Sequence, residues 1–138
     1  MSCLICDKQQ GASNQPPGGY IYENDHWKVC HFFVEKSVRG QLVVESKRHF
    51  LDFSEMTHEE AESYGILIKK LYTALKQIVG AERVYSMVLL EGVPHFHVHL
   101  IPRHKDSELK GMKFLTQAWS CGKEEAIEIV ESLREALT

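Results

Sequence analysis

The spacing of apolar and polar positions changes character several times along this chain, and each change marks an element. Residues 20–24, YIYEN, and 26–35, HWKVCHFFVE, are rich in aromatic and β-branched residues and meet at Asn24-Asp25, which favour a turn, so they predict a β-hairpin. Gly40 breaks that pattern, and QLVVES at 41–46 reads as a short apolar strand, central in its sheet. From Thr57 the period becomes helical. Tyr64, Leu67, Ile68, Leu71, Leu75 and Ile78 recur at spacings of three and four, Thr57 and Glu60 form a capping box, and Gly80 supplies the stop. RVYSMVLL (83–90) and HFHVHLIP (95–102) predict two strands around a short connection at Glu91–Pro94, and KEEAIEIVESLREAL (123–137) predicts a final amphipathic helix with Glu124 and Glu125 in its first turn. Strands clustered around one long helix, with too few βαβ alternations for a doubly wound sheet, imply an antiparallel α+β fold.

Length adds one constraint: 138 residues suffice for one hydrophobic core that removes roughly two-thirds of the unfolded surface from water. The charge balance, 16 − 19 = −3, argues against an extended nucleic-acid surface. The N-terminus MSCLICDKQQ has no signal-peptide pattern, and no apolar run approaches the ~20 residues of a membrane span, so a cytoplasmic protein without membrane attachment is expected. Cys3 and Cys6 form a C-x-x-C while Cys30 and Cys121 stand apart, which suits metal binding or free thiols better than a disulfide framework. Between the C-x-x-C and the hairpin, GASNQPPGG (11–19) predicts a mobile loop.

The chemistry concentrates in EGVPHFHVHLIPR, residues 91–103. On a strand, His95, His97 and His99 share one face while Phe96, Val98 and Leu100 share the other, which goes to the core. Solvated strand histidines are the ordinary reading of any single one, but three in strict alternation are not ordinary. A three-histidine zinc site is disfavoured by geometry, since positions 95 and 99 lie about 13 Å apart at ~3.3 Å per residue while zinc needs each nitrogen at ~2.0–2.1 Å. A third reading has one imidazole attack phosphorus to form a phosphoramidate while a neighbour hydrogen-bonds the phosphoryl oxygens and assists the leaving group.

HFHVHLIPR resembles the H-φ-H-φ-H-φ-φ signature of the histidine-triad (HIT) superfamily of nucleotide hydrolases and nucleotidyl transferases, φ being apolar. CLIC near the N-terminus is similar to the C-x-x-C of its zinc-containing, bacterial-type branch, and LVVESKRHF (42–50) resembles the strand that precedes a histidine there. The order of elements agrees from Cys3 to Arg103. The resemblance implies a HIT-like fold over residues 1–138: an N-terminal zinc-binding segment, the loop 11–19, a core at 20–105 with a five-stranded antiparallel sheet, and a C-terminal helical segment at 106–138. It implies a homodimer that binds nucleotides at the triad face, with His97 as nucleophile toward the α-phosphate and His99 as its phosphate-side assistant. It also implies a structural zinc held by Cys3, Cys6, His49 and His95.

Two departures bear on the substrate. Many members carry Gly-Gln-Ser before the triad, whereas this chain has Val93 and Pro94 there. The acid that usually grips the ribose falls at Phe33, with Glu35 two residues on, so the sequence predicts either relaxed ribose selectivity or a bulge that brings Glu35 into the pocket. Arg103 and Lys105 could attract phosphate. His26, His31, His58 and His104 read as solvated or capping residues, Trp27 and Trp119 as packing residues, and Cys30 as a small buried hydrophobe. Three functional classes follow: a phosphohistidine hydrolase or transferase acting on phosphoramidates, dinucleoside polyphosphates or related esters; a nucleotide-binding protein of the same fold with little turnover; and a zinc-binding structural module.

Overall fold

A computed structural model describes residues 3–138. A short helix α1 (Leu4–Gln9) precedes strands β1 (Tyr22–Glu23), β2 (Trp27–His31) and β3 (Leu42–Ser46); the long helix α2 (His58–Ala74) leads into β4 (Ala81–Met87) and β5 (His97–His104), and a one-turn helix α3 (Met112–Leu115) precedes α4 (Lys123–Leu137). The five strands form one sheet in the order β1-β2-β3-β5-β4, every pair antiparallel. The strand that carries the histidines therefore lies inside the sheet, with β3 on one side and β4 on the other.

Alternation decides what each face does. Trp27, Val29, Leu42, Val44, Phe96, Val98 and Leu100 point to one side and pack against Leu67, Leu71 and Leu75 of the α2 region and Ile129, Val130 and Leu133 of α4. This is the main core. The opposite face carries Cys30, Val43, Glu45, His97 and His99; α1 lies over that end, and a smaller cluster of Val38, Ile101 and Phe114 fills the other end. Two polar devices hold the frame in register. Asn24 Oδ1 accepts the N–H groups of His26 and Trp27, both at 2.9 Å, which closes the first hairpin. At the start of α2 the Glu60 N–H donates to Thr57 Oγ1 at 3.1 Å and the Thr57 N–H to Glu60 Oε1 at 2.9 Å, the capping box expected from THEE. Past Ala74 the helix widens into one π turn, Leu75–Val79, and stops at Gly80, whose φ of +77° is left-handed.

The elements differ from the sequence expectation at their ends. β2 stops at His31, because Val34–Lys36 coils into a 3-10 turn. β4 begins at Ala81 and stops at Met87; Val88 and Leu89 turn out to solvent at 41% and 59% exposure. The segment 11–19 has no strand or helix beyond its turns, yet Arg134 of α4 donates to the carbonyls of Gly18 at 2.6 Å and Tyr20 at 2.9 Å, so its far end is tied to the core. Among the described residues no helix is long and apolar enough to cross a membrane.

Candidate active site and metal-ligand cluster

The three alternate histidines do divide their surroundings. His95, just before β5, is fully buried, and its Nε2 lies 2.7 Å from the Ser46 carbonyl oxygen. A carbonyl only accepts, so Nε2 carries the proton and Nδ1 keeps its lone pair. That Nδ1 lies 3.3 Å from Cys3 Sγ, 3.5 Å from Cys6 Sγ and 3.1 Å from His49 Nδ1. All four ligand atoms fall within 4.8 Å of one another. Tetrahedral zinc with bonds of ~2.0–2.3 Å needs its donors about 3.3–3.8 Å apart, and two sulfurs with two imidazole nitrogens are a donor set it prefers. Burial, then the hydrogen bond and charge of Cys3, pushes the Cys6 thiol up to about 11; a divalent cation between the sulfurs reverses that penalty. The cluster fits zinc in number, chemistry and spacing.

His97 and His99 open instead onto a cleft of about 430 Å³. Leu4, Ile5 and Lys8 of α1 form one wall, Phe32, Phe33, Val43 and Val93 supply apolar surface, and Ser13 and Asn14 come from the loop. His97 Nδ1 lies 2.7 Å from the carbonyl oxygen of His95. By the same donor argument the proton sits on Nδ1, and Nε2 keeps an unshared pair, as a nucleophile requires. The His99 ring stands 5.4 Å from that of His97 and meets the Phe32 ring edge-on at 4.7 Å. Burial, and then the charges of His97 and Lys8, push the His99 imidazole down to about 4. At neutral pH His99 is uncharged.

The cleft floor is a buried polar cluster that the sequence reading did not contain. Glu45, with no exposed surface, pairs across the β3–β5 ladder with His97 and accepts from Lys8 Nζ at 2.6 Å, Tyr20 Oη at 2.9 Å and Gln9 Nε2 at 3.2 Å. Lys8 Nζ also lies 3.2 Å from Cys30 Sγ. Burial, then the Glu45 charge, pushes the Cys30 thiol up to about 12, so the thiol is neutral and the ion pair is Lys8 with Glu45. The available signal was an acid inside the apolar run QLVVES, since a carboxylate in a central strand is rarely buried without a partner.

The remaining candidates separate. Phe33 lines the cleft, with Lys8 Nζ 5.5 Å from its ring centroid. Glu35 does not reach it. No bulge re-aims this residue; it sits exposed on the 3-10 turn that ends the strand. Arg103 is likewise withdrawn: it lies four residues beyond His99 on β5, roughly 13 Å along a strand, and its buried guanidinium reaches Glu82 at 3.3 Å. Lys105 and Pro94 are exposed. His31 is not solvated: it is 1% exposed, donating from Nδ1 to the Phe32 carbonyl at 2.7 Å and accepting the Gly40 N–H at Nε2 at 3.0 Å, while burial lowers its pKa. It is a satisfied core histidine. Trp27 is fully buried in the main core, and Trp119 packs on Phe114 and donates to its carbonyl at 2.7 Å.

Comparison with known proteins gives this arrangement its context. An uncharacterized HIT-like protein of Mycoplasma genitalium is 28% identical over 109 residues, covering 75% of this chain and 74% of that protein. The Bacillus subtilis protein named hit is 24% identical over 141 residues, covering 99% and 94%. Among solved structures, a Zn-bound histidine triad family protein from Mycobacterium smegmatis superposes with a TM-score of 0.77 at 20% identity, covering 99% of this chain and 96% of that one. A hypothetical histidine triad nucleotide-binding protein from Sulfolobus tokodaii gives 0.77 at 18% identity, covering 98% and 91%. These superpositions bear on the fold. The HIT domain family matches residues 14–106, which include the sheet, the long helix and the whole histidine run, and this chain belongs to that family.

Proposed function

We propose that the protein is a nucleotide hydrolase or nucleotidyl transferase that works at the α-phosphate through a covalent adduct on His97. The observation that carries this reading is the bond from His97 Nδ1–H to the His95 carbonyl, which leaves Nε2 as a lone-pair nucleophile in a cleft large enough for a nucleoside phosphate. Attack forms a P–Nε2 bond as the bond from phosphorus to the leaving group breaks. Water or another acceptor then takes the nucleotidyl group as the P–Nε2 bond breaks and its electron pair returns to Nε2. The apolar walls and Phe33 suit a base, and the Sulfolobus tokodaii protein of the same fold is described as nucleotide-binding. With Phe33 at the family acid's position and Glu35 outside the cleft, phosphate contacts dominate and discrimination between ribose and 2′-deoxyribose is weak. Quenching the protein in alkali during turnover of a nucleoside phosphoramidate, followed by peptide mass spectrometry, tests this: the expected product is an acid-labile nucleotidyl adduct on the peptide containing His97, and an adduct elsewhere refutes the assignment. Val93 offers no polar group at the cleft, which favours the alternative of a nucleotide binder with little turnover. In that case the same sample binds nucleotide and shows no adduct.

Cys3, Cys6, His49 and His95 would hold one structural zinc. Bound there, the ion supplies cross-linking and ties α1 to the end of β3 and the start of β5; the phosphoryl chemistry belongs to the other two histidines. Purified without chelator, the protein is expected to carry one equivalent of zinc. Removal with a strong chelator should raise hydrogen exchange across 3–20 while α2 and α4 stay protected, because α1 is only six residues long and such a helix is marginal alone. No zinc, or uniform protection after its removal, counts against the site. β4 pairs on one side only, so a second copy docking along its free edge supports a homodimer, visible in sedimentation as twice 15.9 kDa. Free cysteines throughout the described residues suit a reducing cytoplasm.

A further inference from the structure

His99 can help a phosphoryl group only with a proton at the nitrogen that faces the cleft, and its environment decides which nitrogen that is. Gln41, the residue just before β3, is 6% exposed and belongs to no core cluster or ion pair. Its side chain makes two bonds. Oε1 accepts the Val38 backbone N–H at 3.3 Å, and Nε2 lies 3.3 Å from His99 Nδ1. A backbone N–H can only donate, so the amide oxygen must face Val38; the flipped amide would set two donors against each other. The amide nitrogen is therefore the group presented to His99. It too can only donate, which makes His99 Nδ1 an acceptor and places the imidazole proton on Nε2.

We propose that Gln41 is a positioning residue that fixes His99 as a neutral imidazole with its proton on Nε2, so that the third triad histidine serves as a stationary hydrogen-bond donor to a phosphoryl oxygen. The chemistry served rests on the phosphoryl-transfer reading above; the tautomer does not. Backbone bonds hold Gln41 in place from both sides, its N–H donating to the Val38 carbonyl at 3.1 Å and its carbonyl accepting the Phe32 N–H at 2.9 Å. Phe32 in turn supplies the ring whose edge meets His99 at 4.7 Å, so one short segment both orients the amide and walls the imidazole. The low proton affinity of His99 agrees, since a ring neutral at physiological pH donates through one nitrogen only. The two catalytic imidazoles thus hold opposite tautomers. His97 keeps its proton on Nδ1 and attacks through Nε2, while His99 accepts at Nδ1 and donates through Nε2. The asymmetry assigns nucleophile and donor to different rings.

Long-range proton–nitrogen NMR on protein labelled with 15N-histidine tests the proposal with no substrate present. The wild type should show His99 as the Nε2–H tautomer at pH 7. In Gln41→Glu one carboxylate oxygen can still accept from Val38 while the other accepts from Nδ1, so His99 should switch to the Nδ1–H form. Gln41→Met keeps the volume and removes only the donor, and should leave mixed tautomers. An Nδ1–H ring in the wild type, or an unchanged spectrum in a folded variant, overturns the proposal. On a nucleoside phosphoramidate the Glu variant should lose on the order of 10²-fold in kcat, the effect of removing one aimed donor, with KM changed less than about threefold. If the tautomers behave as stated and no nucleotide is turned over, the functional reading fails and the role of Gln41 in setting His99 stands.

Discussion

Replacing His97 by Asn is expected to lower turnover of a nucleoside phosphoramidate by at least about 10³-fold, because no other group presents a lone pair to the same phosphorus. The substitution is chosen to preserve everything else. An Asn amide can donate to the His95 carbonyl as His97 Nδ1 does at 2.7 Å, and Phe96 and Val98 on either side still anchor the strand in the core. Thermal stability should therefore change little, and nucleotide affinity, which depends on the walls of the cleft, should fall less than tenfold. Parallel measurements of kcat, of equilibrium binding and of melting separate the roles. A variant that keeps near-wild-type kcat removes His97 as nucleophile. One that loses binding and catalysis together shows that the ring serves mainly to shape the cleft.

How much of this was legible depends on the distance over which each feature is encoded. Alternation along a strand is local, so the division of His95, His97 and His99 from Phe96, Val98 and Leu100 could be read directly, and the Thr57–Glu60 box and Gly80 marked α2 in the same way. The metal-ligand cluster was visible only through the family resemblance, because Cys3 and His95 are 92 residues apart. On the floor of the cleft, the acid inside QLVVES signalled a buried carboxylate in need of a partner, but not which residues would supply it. Lys8 meets Glu45 because α1 lies over β3, and Gln41 meets His99 because β3 pairs with β5 with Leu42 opposite Leu100. No periodicity near Lys8 or Gln41 announces either pairing. The branch that brought Glu35 into the pocket failed for a different reason: it needed a bulge in a strand continuing past His31, but the strand ends there and the chain coils at Val34, leaving that side chain exposed.

The buried pair on the floor carries the largest expected effect on stability. Lys8→Met should destabilise the protein by about 3–5 kcal/mol, the usual consequence of leaving one buried charge without its partner. Glu45 would retain Tyr20 and Gln9 as donors, but neither brings a positive charge. Water cannot readily replace Lys8, since Glu45 has no exposed surface. At ~3–4 °C per kcal/mol for a chain of this size, Tm should fall by roughly 10–20 °C. Burial alone would lower the Lys8 pKa, yet Cys30 and Glu45 beside it, both within hydrogen-bonding reach, leave the ammonium above its ordinary value. A raised cation contributes stability fully below its unfolded pKa and loses it only as pH rises through the folded value. The penalty in Lys8→Met should therefore persist undiminished from pH 6 to 9. The double variant Lys8→Met, Glu45→Gln removes both charges, and should recover most of the loss because an uncharged pair requires no counter-ion. Equal Tm values for the single and double variants would show that Glu45 is satisfied by its neutral donors, and that the ion pair orders α1 without holding the sheet.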